Sequence, residues 1–210
     1  MSFTLYGDAQ SGNCYKIILL ASLLDLPYQW QPVDILAGET QKESFTTLNP
    51  AGQIPVIELE SGEYLAESNA IIQYLANGTT WWPVERLAQA QVLKWMFFEQ
   101  YSHEPYIAVA RFIRHYQGMP AERLEEFKSK QAGGIKALNT MEQQLSQHHF
   151  IAGEKPSIAD IALFAYTHVA ADGGFELAPY TGIRDWIDRI TRMPGFIEIG
   201  AANPAPSDVV

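Results

Sequence analysis

The chain has very little cysteine: Cys14 is the only one among 210 residues. A disulfide within the chain and a zinc site built from several thiolates are therefore both excluded. Long apolar runs are also missing, because the longest, from Ile17 to Leu24, is broken by Ser22 and is far shorter than the ~20 residues that span a bilayer. The sequence does not begin with a cationic segment followed by an apolar one. We therefore expect a soluble, cytoplasmic protein without a membrane partner.

Positive charge is scarce as well. The chain has 14 lysines and arginines against 24 aspartates and glutamates, for a formal net charge of −10. Its average surface would repel a polyanion, and no lysine- or arginine-rich stripe offsets that repulsion, so we expect no nucleic-acid partner. We also predict no metal site, since the adjacent His148 and His149 would point in different directions on a helix.

What is present is the composition of a folded protein, with 47% hydrophobic and 18% charged residues. The first 78 residues mix strand and helix signals in the order β-α-β-(α)-β-β-α. The Ser61-Gly62 turn between two short apolar runs predicts a hairpin. The sequence therefore predicts an α/β domain over residues 1–78, built from a parallel unit, an antiparallel hairpin and a helix.

The character of the chain changes after this domain. Residues 79–85 are typical of a linker, and helical periodicity then predicts an all-helical domain over residues 86–210. One helix is predicted from Ala121 to His148, with a weak point at Gly133-Gly134 because glycine disfavours helix interiors. The last ten residues, which include two prolines, are predicted to form an extended tail.

The segment from Asn49 to Val56 is the first that suggests chemistry. Pro55 stands directly before an apolar strand, and because it lacks an N–H group it must lie at the start or edge of that strand. If the Ile54–Pro55 bond is cis, the peptide group of Ile54 turns toward solvent and can pair with an extended peptide. A trans proline that begins an edge strand fits the sequence equally well.

Two serines at predicted helix starts are the next candidates. Ser68 follows Glu67 and begins a helix, whose free N–H groups attract an anion. Ser11 precedes the first helix, with the amide of Asn13 two residues later, and such a site can stabilise a thiolate. Taken singly, each serine is better explained as a helix cap alone.

Together these segments resemble the cytosolic glutathione transferases, and the resemblance extends over essentially the whole chain. The matching runs are N-P-x-G-x-I-P-V-I at 49–57, E-S-x-A-I-x-x-Y-L at 67–75 and a buried capping box at 153–160. Ser11 falls where theta- and delta-like members carry a catalytic serine, while the pattern Ser11-x-Asn13-x-x-Lys16 is similar to nu-like members. The resemblance implies a thioredoxin-like N-terminal domain followed by an all-α C-terminal domain.

It also implies glutathione as co-substrate. Ser11 would donate a hydrogen bond to the glutathione thiolate, with Asn13 as a second donor. The tripeptide would lie as an added strand against Ile54. Its γ-glutamyl carboxylate would meet Ser68 and its amine Glu67, while Gln53 and Lys42 would contact the glycyl end. The glutathione-binding residues predicted are thus Lys42, Gln53, Ile54, Pro55, Glu67 and Ser68.

The second substrate is expected to be a small hydrophobic electrophile, as in detoxification. Apolar and aromatic residues at steps of three or four, from Trp95 to Ile113, predict one long helix. The second substrate would lie between the Ser11 loop and this long helix, with Tyr106 and Arg111 in its pocket. Pro105 should bend that helix beside the pocket, because a proline inside a helix removes one backbone hydrogen bond. The resemblance further implies a homodimer, in which the first domain of one chain packs against the long helix of the other.

Two other functions fit the same motifs. The first is glutathione-dependent reduction of disulfides or peroxides, in which a second glutathione resolves the mixed disulfide. Dithiol cycling within one chain is excluded, because the only cysteine stands three residues after Ser11. The second is a non-catalytic binding module with this fold. The intact motifs at Ile54 and Ser68 argue against that module, since it would not need them.

Overall fold

The protein is described by a computed structural model over residues 2–201, so almost all of the predicted tail lies outside the described residues. Among these residues the chain forms two compact units, 2–77 together with 193–201, and 78–192. The sequence had assigned 193–201 to the helical domain, but this segment packs on the first unit. The Tyr15 hydroxyl donates to the carbonyl of Ile197 at 2.6 Å, and Ser22 Oγ donates to the carbonyl of Gly195 at 2.6 Å.

The first unit contains a four-stranded sheet. Its strands are β1 (Phe3–Gly7), β2 (Tyr28–Pro32), β3 (Val56–Leu59) and β4 (Tyr64–Ala66). The spatial order is β2-β1-β3-β4, with β1 parallel to β2 and the other two pairs antiparallel. The helices are α1 (Gly12–Leu23), α2 (Glu43–Thr46) and α3 (Ser68–Ala76). This is the predicted thioredoxin-like arrangement, and the fold class is confirmed.

Helix α1 is the centre of the first unit's core. Its residues from Ile17 to Ala21 have no exposed surface, as expected for a helical segment that is apolar on every side. Gly7 at the end of β1 allows this close packing, because a Cβ atom there would lie 2.4 Å from Cys14 Sγ. The small residue at the end of β1 therefore sets how closely the start of α1 approaches the sheet.

The second unit is helical. Its helices are α4 (Arg86–Phe98), α5 (Glu104–Arg111), α6 (Leu124–Leu145), α7 (Ile158–Thr167) and α8 (Thr181–Thr191). The predicted long helix is interrupted, because π-helical segments span Glu99–His103 and Phe112–Tyr116. The first of these ends just before Pro105, which cannot donate a backbone hydrogen bond to the preceding turn. The bend itself stays a prediction. Among residues 2–201, no helix is long and apolar enough to cross a bilayer.

The prediction of a weak point in the helix from Ala121 to His148 is wrong, because α6 runs without interruption through Gly133 and Gly134. Each glycine makes room for an aromatic ring. A Cβ atom at Gly133 would lie 2.2 Å from the ring of Tyr106, and one at Gly134 would lie 2.3 Å from the ring of Phe175. The packing of these rings offsets the low helix propensity of the glycines.

Helix α7 begins with the predicted capping box. Asp160 is fully buried, and its carboxylate accepts hydrogen bonds from the backbone of Ser157 (2.8 Å) and Ile151 (2.8 Å). The Ser157 hydroxyl and the Trp186 indole add bonds of 3.1 and 2.9 Å. Burial raises the pKa of Asp160, while these four bonds act in the opposite direction. One carboxylate thus joins the start of α7 to α8 and to the preceding loop.

Candidate active site

Ser11 caps the N-terminus of α1. Its Oγ accepts a hydrogen bond from the backbone N–H of Cys14 at 3.4 Å, and its backbone is extended. The bond uses a lone pair of the oxygen, so the hydroxyl hydrogen can point toward another acceptor. The side chain is half-buried, at a helix end where the partial positive charge favours an anion. The position therefore suits a thiolate.

Cys14 cannot supply that thiolate itself. Its side chain is fully buried, and burial raises the pKa of the thiol to about 12. Its sulfur faces Gly7, where it fills the space between β1 and α1. In this structure the only cysteine is therefore a packing residue, and a thiol that reacts at Ser11 must come from a ligand.

The loop before β3 is held in place by side-chain bonds. The Asn49 amide donates to the carbonyl of Gln53 at 2.8 Å and accepts from the backbone of Ala51 at 3.1 Å. The Ile54–Pro55 bond is cis, which is one of the two alternatives left open by the sequence. Pro55 is buried, Ile54 is partly exposed and Gln53 is exposed.

The pairing between β3 and β4 ends just beyond this loop. The last pair is Val56 with Ala66, so the backbone of Ile54 extends past the end of β4. The chain leaves the sheet at Glu67, whose φ of 69° and ψ of 106° are unusual for a residue with a side chain. Such strain costs about 1–3 kcal/mol and is concentrated at functional sites. An extended peptide could pair with Ile54 here, beside the first turn of α3.

A polar network joins the starts of α1 and α3. The fully buried ammonium of Lys16 donates to Ser68 Oγ at 3.2 Å and to Asn69 Oδ1 at 3.3 Å. The Ser68 hydroxyl in turn donates to Asn13 Oδ1 at 3.1 Å. The structure therefore brings the predicted residues Asn13 and Ser68 together, with Lys16 between the helices.

This role of Lys16 was not predicted from the sequence, where the residue stood out only as part of a family pattern. The available signal was a single charged residue in an otherwise apolar helix, between Tyr15 and Ile17.

Lys42 lies apart from this network. Its ammonium forms an ion pair with Glu39 at 3.2 Å, and the two side chains are 59% and 40% exposed. A hydrogen bond from the backbone N–H of Asp34 lowers the pKa of Glu39, and the pairing with Lys42 lowers it further. The contact predicted between Lys42 and the glycyl carboxylate stays a prediction, and it would compete with the bond to Glu39.

Tyr106 and Arg111 both make contacts inside the helical unit. The ring of Tyr106 packs against Gly133 on α6. Arg111 is 2% exposed, and its Nε lies 3.1 Å from Oδ2 of Asp172. Arg111 therefore contributes to the core of the helical unit, and a role for either residue in binding a second substrate stays a prediction.

The histidine pair differs from the sequence interpretation. His148 and His149 follow α6 rather than lying in it, and both side chains contact the carboxylate of Glu154, at 2.9 and 2.8 Å. The two rings therefore point to one group, not in different directions. Over residues 2–201, no cluster of three or more histidine, cysteine or acidic side chains has the arrangement of a metal site.

Comparison with known families shows to which family the chain belongs. Residues 10–77 match the family model of the glutathione S-transferase N-terminal domain, and residues 95–194 match that of the C-terminal domain. The chain belongs to the glutathione S-transferase family. As a glutathione S-transferase, it is an enzyme that uses glutathione as co-substrate, so these two predictions are confirmed.

Individual glutathione S-transferases resemble the chain over most of its length. The crystal structure of the enzyme from Pseudomonas fluorescens Pf-5 is 56% identical, with a TM-score of 0.92, and the match covers 94% of this chain and 98% of that one. A second, from Xanthobacter autotrophicus Py2, is 41% identical, with a TM-score of 0.90 and coverage of 94% and 96%. Glutathione S-transferase 2 of Anopheles gambiae is 29% identical over 191 residues, or 88% of each chain.

Proposed function

We propose that this glutathione S-transferase activates the glutathione thiol at the start of α1 and directs the thiolate at a small hydrophobic electrophile. Ser11 would donate to the sulfur, with Asn13 as a second donor. The proposal is carried by the hydrogen bond from Cys14 N–H to Ser11 Oγ, since it leaves the hydroxyl hydrogen to point elsewhere. Serine at this position is the feature shared with theta- and delta-like enzymes.

The energies required are within reach of these groups. A free thiol has a pKa of ~8.5, so lowering it by ~2 units makes the thiolate the major species at pH 7 and requires ~2.7 kcal/mol. A hydrogen bond to a charged group contributes ~1.5–3 kcal/mol. A helix N-terminus adds ~0.3–1 kcal/mol. One hydroxyl and the end of α1 together are therefore sufficient.

The rest of glutathione would lie along the edge formed by the loop before β3 and the start of α3. The cysteinyl part would pair with the backbone of Ile54, beside Pro55. The Ser68 hydroxyl already donates to Asn13, so we assign the γ-glutamyl carboxylate to the backbone N–H of Ser68, which has no partner within its own helix. Glu67 would receive the amine. The exposed Gln53 and Lys42 would contact the glycyl end.

Substitution of Ser11 tests the proposal. In Ser11→Ala the pKa of bound glutathione, followed by thiolate absorbance during a pH titration, should rise by about 1–2 units, since one hydrogen bond to a charged group is lost. Conjugation at pH 7 should fall by about threefold to twenty-fivefold, which is the loss of thiolate when a pKa of ~6.5 rises by that amount, while most of the glutathione affinity is kept. Ser11→Thr, which keeps both hydroxyl and cap, is the matched control. An unchanged pKa in Ser11→Ala would move the role to Asn13.

A second candidate function is the reduction of disulfides or peroxides by the same thiolate, as the nu-like pattern of Ser11, Asn13 and Lys16 suggests. The observation that favours it is the bond between Ser68 and Asn13, which draws the Asn13 side chain into the site. Cys14 is buried, so a second glutathione would have to resolve the mixed disulfide. Turnover of a small disulfide compared with that of an aromatic chloride separates the two functions.

We further propose a cytoplasmic homodimer in which the first unit of one chain packs against α4 of the other. Three large apolar side chains on α4 and the π segment after it are mostly exposed: Leu87 (71%), Phe97 (68%) and Tyr101 (85%). Their spacing puts them on one side of the helix. Exposed apolar patches commonly mark association sites. Light scattering at micromolar concentration should give twice 23.5 kDa, and a mass near 23.5 kDa would contradict the dimer.

A further inference from the structure

Lys16 is the least expected residue in the first unit. It lies in α1 with no exposed surface, next to Ile17 and Ile18, which are equally buried. Lysine is seldom fully buried, because removing its ammonium from water is costly unless hydrogen bonds and charge compensate. A neutral residue would pack there at lower cost. The position of Lys16 therefore calls for an explanation beyond packing.

The explanation lies in the hydrogen bonds that Lys16 makes across to α3. Its Nζ is 3.2 Å from Ser68 Oγ and 3.3 Å from Asn69 Oδ1, so both contacts lie in the first turn of α3. The backbone N–H of Ser68, in this turn, is the group assigned above to the γ-glutamyl carboxylate. A cation therefore lies directly behind the proposed anion site.

The ammonium also sets the direction of the bonds that follow. An ammonium group can only donate, so Ser68 Oγ accepts from Lys16. The Ser68 hydroxyl passes its single hydrogen to Asn13 Oδ1 at 3.1 Å. The positive charge favours the oxygen end of the Asn13 amide on this side. The NH₂ end, which carries only donors, then faces away from Ser68.

We propose that Lys16 is a positioning residue for the glutathione reaction, acting through Ser68 and Asn13. It turns the Asn13 amide so that N–H donors face the side opposite Ser68, and it adds positive charge behind the first turn of α3. The inference rests on the proposed function, because it assumes that glutathione binds along this edge. Lys16 itself does not touch the substrate.

The size of the electrostatic effect follows from the distances. A carboxylate that accepts from the Ser68 backbone N–H would lie within about 9 Å of Nζ, since about 3 Å between the Oγ and N atoms of the serine and one hydrogen bond of ~2.9 Å follow the 3.2 Å contact with Ser68 Oγ. At the effective dielectric of a protein site, a unit charge at that distance changes an affinity by about tenfold or more. Removal of the charge should therefore be measurable in binding.

The test replaces Lys16 and reads two quantities. In Lys16→Met, which keeps an unbranched chain without the charge, the Kd of S-methylglutathione measured by calorimetry should rise about tenfold. The pKa of bound glutathione should rise by about 1 unit, since Asn13 loses its orientation. Lys16→Arg, which keeps the charge and donors, should recover both values. If Lys16→Met does not fold, Lys16→Gln, which keeps a donor without the charge, replaces it.

A double-mutant cycle shows whether Lys16 acts through Asn13. If it does, adding Asn13→Ala to Lys16→Met should raise the bound-thiol pKa little further, whereas fully additive shifts would overturn the inference. Folded Lys16→Met with unchanged Kd and pKa would overturn it as well. Wild-type protein that fails to bind glutathione or to lower its thiol pKa would instead overturn the proposed function, and the inference with it.

Discussion

Asp160→Ala should destabilise the helical unit more than any exposed substitution. The change leaves three N–H groups without their acceptor, those of Ile151, Ser157 and the Trp186 indole. An unsatisfied buried donor costs ~1–3 kcal/mol, which gives roughly 3–9 kcal/mol for three. In the native protein the buried carboxylate carries a desolvation penalty, which is also what raises the pKa of Asp160. The substitution removes this penalty together with the carboxylate. We therefore expect a net loss of about 3–5 kcal/mol, a large part of a typical domain's stability.

Asp160→Asn refines this prediction. The amide oxygen can still accept from Ile151 and Trp186, while its NH₂ group would face the N–H of Ser157. The loss should therefore be smaller, about 2–3 kcal/mol.

Urea unfolding followed by far-UV circular dichroism measures both losses. The control is Asp188→Ala on α8, where the side chain is 55% exposed and pairs with Arg192 at 2.7 Å. This exposed pair should contribute less than ~1 kcal/mol. If Asp160→Ala lost no more stability than Asp188→Ala, the carboxylate would not be the link that holds α7, α8 and the loop together.

Three further predictions concern single residues. Cys14, whose pKa burial raises to about 12, should react with a thiol reagent only after unfolding, and Cys14→Ala should keep its turnover; rapid labelling of the native protein would contradict this. Burial lowers the pKa of His168 to about 4, so between pH 6.5 and 4 the unfolded chain binds a proton that the native one does not. Stability should therefore fall by on the order of 2 kcal/mol from pH 7 to 4.5, and His168→Gln should remove most of that slope in urea unfolding. Gly133→Ala should cost about 1–3 kcal/mol in the same assay, because its Cβ atom would lie 2.2 Å from the ring of Tyr106; an unchanged midpoint would refute that clash.

Local features of the sequence were enough for the order of strands and helices, and they supplied the candidate residues for the glutathione site. Proline before β3, serine at the starts of α1 and α3, and the capping box of α7 each act on their immediate neighbours. Their effects can be read from residues a few positions apart. Because several such signals matched one family together, the fold class and the use of glutathione could both be predicted.

Only the tertiary structure decided features that depend on distant residues. The bond between Lys16 and Ser68 spans 52 positions, and that between Arg111 and Asp172 spans 61. Residues 193–201 pack on α1 through Tyr15 and Ser22, far earlier in the chain. In each case the energy comes from burial and from pairing between elements, and helical periodicity describes only the face of one element. A buried lysine and a core arginine are therefore recognised once their partners are seen beside them.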